Sequence, residues 1–78
     1  MQLDIVTPDK NVYSGSIKSA TFPGADGSFG ILEKHAALVA VLKKGDIKVI
    51  DASSKELHFE VEGGVVEVKD NKIIVLAE

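Results

Sequence analysis

Two histidines, His35 and His58, are the side chains in this sequence best suited to move a proton near neutral pH. His35 lies within GSFGILEKHAALVAVL, residues 27–42, directly before the unbroken apolar run Ala36–Leu42. No serine or cysteine nucleophile stands near it in a recognisable motif, although Glu33 is close in sequence. A loop or interface histidine fits better than a general base. His58 alternates with Glu60 and Glu62, which places it on a wet strand face. The two histidines are far apart, and there is no cysteine, so no local zinc site is expected. Gly24, Gly27 and Gly30 imitate part of a phosphate loop, but no lysine-serine pair and no helix follow. No catalytic residue, metal or cofactor is expected.

Composition narrows the class further. Seventy-eight residues make one domain, 1–78, with a small core. The net charge of −3 and the lack of any arginine argue against nucleic acid, which demands clustered cations. The start, MQLDIVTP, has no basic segment followed by an apolar core, so no signal peptide is expected and the cytoplasm is the default compartment. The apolar run is too short to cross a membrane, which takes about 20 residues.

Turn residues recur at intervals typical of an all-β sandwich or barrel. Leu3 and Ile5 alternate with Gln2 and Asp4, a first strand that a turn at Pro8–Asn11 closes. Val12-Tyr13 reads as a short strand, with a further turn at Ser14-Gly15-Ser16. Ile17 has the opposite parity to Ala20 and Phe22, so a bulge near Ser19 is needed to put all three on one face. Lys43-Lys44-Gly45-Asp46 and Ser53-Ser54-Lys55 read as hairpin turns, and Asp70-Asn71 as a third. Leu57, Phe59 and Val61 point inward, as do Val66, Val68, Ile73, Val75 and Ala77. Gly63-Gly64 marks a kink or a close backbone approach. Glu60, Glu62 and Glu67 are expected on a solvated acidic face. No amphipathic helix is evident.

Two strands have apolar residues on both faces. With Val39 and Val41 taken as inward, Leu38, Ala40 and Leu42 face out. With Ile73 and Val75 inward, Ile74 and Leu76 face out. Exposed apolar rows in one sheet usually mark an interaction site, and a partner is therefore expected to cover Leu38, Ala40, Leu42, Ile74 and Leu76. Lys34, in an exposed turn of an acidic β-domain, gives an alternative: a lipoyl- or biotinyl-type carrier domain modified at that lysine. Its flanks lack the methionine- or aspartate-rich pattern such a site needs.

The stretch GSFGILEKHAALVAVLKKGDIKV resembles the signature of the epsilon subunit of F-type ATP synthases. Gly27, Gly30, Ile31, His35, Ala36, Leu38 and Gly45 match it. LDIVTPDKNVYSG is similar to the family's first strand and turn, and VEGGVVEVKDNKIIVLAE to its paired glycine and final hairpin. Glu33 and Lys34 stand where the family usually has proline-glycine, and Ala37 where it usually has proline.

The resemblance implies a ten-stranded β-sandwich of two sheets in the central rotor stalk, with no chemistry of its own. It implies contact with the gamma subunit through Thr7, Leu38, Ala40 and Leu42. It places Ser28 and His35 on an edge facing the polar loops of the membrane ring. The location implied is peripheral, at the cytoplasmic face of the bacterial inner membrane, without lipid insertion. Relatives usually continue into a C-terminal helical hairpin that restrains rotation. A natural short form is expected here, acting as a constitutive coupling clamp indifferent to ATP.

Overall fold

In the computed structural model, which describes residues 1–78, the alternating apolar positions become eight strands. These are β1 (Gln2–Val6), β2 (Asn11–Phe22), β3 (Phe29–Leu32), β4 (Leu38–Leu42), β5 (Gly45–Asp51), β6 (Glu56–Val61), β7 (Gly64–Lys69) and β8 (Lys72–Ala77). One layer has the order β4-β7-β8-β1-β2; the other is β3-β2-β5-β6. All pairs are antiparallel except β1 with β8, which is parallel. No helix forms.

The all-β sandwich matches the expectation, but the strands number eight rather than ten. The cause is β2. Its first part pairs with β1 and its second part with β3 and β5, so one continuous strand serves both layers. Ser14-Gly15-Ser16, expected as a turn, lies within it, and Gly15 pairs with Leu3. The expected bulge is present as a register shift between Ile17 and Ser19. An extra residue there restores parity, so that Ile17, Ala20 and Phe22 are all buried.

Inward side chains of both layers form one cluster of 15 buried residues, among them Leu3, Ile5, Phe22, Ile47, Val66, Val75 and Leu42. Each such aliphatic side chain contributes roughly 1.5–3 kcal/mol by leaving water. Tyr13 and Phe59 extend the cluster, with ring centroids 5.2 Å apart.

The turns differ in kind. Asp70-Asn71 and Ser53–Lys55 are true hairpin tips, with Ser54, Asp70 and Asn71 at positive φ. Lys43-Lys44 is not a hairpin turn, because β4 pairs with β7 while β5 pairs with β2 and β6. It is a corner that carries the chain from one layer to the other. Gly64 has φ +145, and a Cβ there would lie 2.3 Å from the Leu76 carbonyl oxygen. Glycine is what permits β7 and β8 to approach so closely at this end.

Candidate functional site

Strand β4 carries the main correction to the sequence reading. Leu38, Ala40 and Leu42 face inward, not outward. They pair with Val68, Val66 and Gly64, and Leu42 is only 3% exposed. Val39 and Val41 face water instead, at 69% and 60% exposure. An alternation of two apolar sets carries no parity information of its own. The register with β7, whose Val66 and Val68 are unambiguously inward, decides it. Leu42 therefore has no surface to offer a partner, and Leu38 and Ala40 offer little.

Strand β8 has the parity expected. Ile73, Val75 and Ala77 are buried; Ile74 is half-buried and Leu76 is 57% exposed. With β4 corrected, the outer residues line up across four strands. Val41 pairs with Val65, Val65 with Leu76, and Leu76 with Val6, an apolar row from β4 through β7 and β8 to β1. The adjacent row is Val39, Glu67, Ile74 and Asp4. Thr7 lies half-buried just beyond Val6 and holds a turn through its bonds to Lys10. The apolar row is rimmed by charge. Asp4 accepts hydrogen bonds from Ser14 at 2.7 Å and Gln2 at 3.1 Å, and lies 3.8 Å from the Lys72 ammonium. The Ser14 bond above all, then that of Gln2, holds its carboxyl below the usual range.

On the other outer face β5 and β6 carry mostly charged side chains, while Leu32 on β3 stands exposed at 66%. On β5 and β6, Asp46 pairs with Glu60 and Lys48 with His58. His58 stands between two carboxylates, with Nδ1 2.5 Å from Asp46 and Nε2 2.7 Å from Glu56. Both ring nitrogens donate there, which favours the imidazolium. Its pKa is raised, first by Asp46 and then by Glu56. Glu62 approaches Lys44 at 3.6 Å. Glu67 is on the opposite layer from Glu60, so the three glutamates do not form one acidic face.

Ser28 and His35 are not neighbours. Ser28 ends the exposed loop 25–28, which is fixed beside the end of β4 by the Ala25 N–H donating to the Val41 carbonyl at 2.8 Å. His35 lies in the β3–β4 crossover, three residues before β4 begins. The length of β3 separates them, roughly 10 Å or more at about 3.3 Å per residue. Within its loop, Gly24 is irreplaceable by shape: a Cβ there would be 2.5 Å from the Gly27 carbonyl oxygen.

The crossover is a connection between layers and not a hairpin, since β3 pairs with β2 and β4 with β7. Lys34 is exposed at φ 61, the left-handed region, where the resembling family usually has glycine. The His35 N–H donates to the Leu32 carbonyl at 3.1 Å and closes the turn. A lysine at a crossover is not the hairpin-tip lysine that the carrier alternative requires. No group of three histidine, cysteine or carboxylate side chains is placed to hold a metal ion. The surface depressions are shallow; one of about 320 Å³ lies between Gly24–Gly27 and Val39–Val41.

Fold and surface together define a small β-sandwich with an apolar row on the outer side of one layer. The chain belongs to the family of ATP synthase delta/epsilon chain β-sandwich domains, whose profile matches residues 1–78. It is 46% identical over 77 residues to the ATP synthase epsilon chain of Chlorobium limicola, covering 99% of this chain and 88% of that one. It is 48% identical over 77 residues to the epsilon chain of Desulforamulus reducens, covering 99% of this chain but 58% of that one. This chain thus spans most of one relative and little more than half of the other. Among solved structures, a chain of the Tetrahymena thermophila mitochondrial ATP synthase central stalk and c-ring superposes with a TM-score of 0.80 at 25% identity. That match covers 99% of this chain and 62% of its counterpart. A chain of the Euglena gracilis mitochondrial enzyme shares the fold, with a TM-score of 0.87 at 20% identity over 96% of this chain and 48% of that one.

Proposed function

We propose that this chain is a non-catalytic subunit of the central stalk of an F-type ATP synthase, joining the gamma subunit to the membrane ring. The observation that carries the reading is the apolar row Val41, Val65, Leu76 and Val6 on the outer face of one layer. Such a row on a small domain is a surface for a permanent partner. Gamma is that partner, and Ile74, Val39 and Thr7 border the contact. Leu38 and Ala40 support it from beneath.

Ser28 and His35 lie at opposite ends of β3, and each end is assigned its own partner. The exposed, polar loop 25–28 is the better match to polar ring loops, and the crossover with His35 is left to the gamma side. The subunit moves no atoms of substrate. It transmits torque because its two layers share one strand and one core. Its place is peripheral, on the cytoplasmic face of a bacterial inner membrane, without insertion into lipid. The test is co-purification of gamma with Val41→Asp and Leu76→Asp chains that melt normally. Loss of gamma supports the reading, and full retention overturns it.

A further inference from the structure

We propose that Asn71, at the β7–β8 turn, is a positioning residue that holds the β3–β4 crossover in the conformation presenting His35 to gamma. The inference rests on the central-stalk reading above. Residues 33–37 are poorly packed: Glu33, Lys34, Ala36 and Ala37 are exposed, and His35 is half-buried. Packing alone does not fix such a segment. Its tethers to the rest of the sandwich are few. Asn71 Oδ1 accepts the Lys34 N–H at 2.8 Å, and Asn71 Nδ2 donates to Glu33 Oε1 at 2.5 Å. The same Glu33 oxygen lies 3.3 Å from the Met1 ammonium.

One amide thus uses its acceptor and its donor on two successive crossover residues. Asn71 is itself anchored: its carbonyl accepts the Gln2 N–H at 3.2 Å, and it sits at φ 61 in the hairpin tip. The bond to Lys34 is made to the residue whose left-handed backbone most needs holding. The consequence falls on the next residue. His35 Nδ1 donates to the Ala36 carbonyl at 2.7 Å, which leaves Nε2 without a partner inside the molecule. With the crossover fixed, that free nitrogen points in one direction and meets gamma without ordering a loop first.

The experiment compares Asn71→Gly, Asn71→Asp, the double variant Asn71→Asp with Glu33→Gln, and His35→Ala. Glycine keeps the left-handed turn and removes both bonds. Aspartate keeps an acceptor for Lys34 but sets a carboxylate against Glu33. The double variant restores a donor–acceptor pair with the roles exchanged. Two quantities are read: amide hydrogen exchange at Lys34 and His35 in the chain, and affinity for gamma. Asn71→Gly should speed exchange at these two amides and weaken gamma binding, each about tenfold for two lost bonds, with the β7 and β8 amides unchanged. The double variant should recover both. Faster exchange with unaltered gamma affinity, while His35→Ala does weaken gamma, overturns the positioning role alone. If His35→Ala also leaves gamma affinity unaltered, the crossover is no contact and the inference falls with it. Should glycine disrupt the hairpin, Asn71→Asp against its double variant decides the same point.

Discussion

The two outer faces of the sandwich are built on the same inner plan and finished differently. On both layers alternate residues point into one shared core. Outward, the β4-β7-β8-β1 layer shows Val41, Val65, Leu76 and Val6 in register, whereas β5 and β6 show Asp46, Lys48, His58 and Glu60. Water solvates the second face at no cost. The first keeps apolar area in water that folding alone did not remove. A small domain gains nothing from that arrangement unless another surface covers it. The inner rows therefore account for the fold, and the contrast between outer rows supports the docking surface proposed above.

The largest test of this contrast uses two adjacent residues of β4. Leu42→Asp places a carboxylate in the core, adding several kcal/mol of ion burial to about 2–5 kcal/mol of lost packing. The chain should lose its β-type circular dichroism. Val41→Asp, one position earlier, should leave folding within about 1 kcal/mol while removing several kcal/mol of gamma binding. Melting curves and a gamma-binding titration on both variants separate the faces. If Val41→Asp unfolds the chain and Leu42→Asp spares it, the β4 parity described here is wrong.

A smaller effect is expected on the charged face, and it depends on pH. The His58 pKa is raised above its usual 6.5, so its pairing with Asp46 and Glu56 stabilises fully below that value. It is lost as pH rises through the elevated folded pKa. Glu56 is lowered from 4.5, chiefly by the His58 bond and next by Lys48, so its share is present above that value. It disappears as pH falls through the lowered pKa. The pair is therefore at full strength between these two unfolded values. Denaturant melts across pH should show a shallow stability plateau there that His58→Ala removes. An unchanged pH profile in that variant would mean that solvent screens the cluster completely.

The smallest effect completes the comparison. Glu60→Ala on the charged face should alter stability by no more than about 0.5 kcal/mol and gamma affinity not measurably. A marked loss of gamma binding would place the partner on the β5-β6 face and reverse the assignment.

Much of this was legible in the chain. Alternation marked the inward rows of β6 and β7, because polar residues such as His58, Glu60 and Glu67 stood on the other side. Parity conflict alone located the bulge between Ile17 and Ser19. The glycine and histidine spacing of residues 27–45 pointed to the family. Four things needed the tertiary structure. Which face of β4 is buried depended on pairing with β7, since Leu38–Leu42 is apolar on both sides. That Ser28 and His35 lie at opposite ends of β3, and that Lys43-Lys44 turns a corner rather than a hairpin, depended on which strands pair. The Asn71 tether joins groups 37 and 38 positions apart along the chain. Local sequence encodes period and turn chemistry; contacts between distant strands exist only after the two layers close on each other.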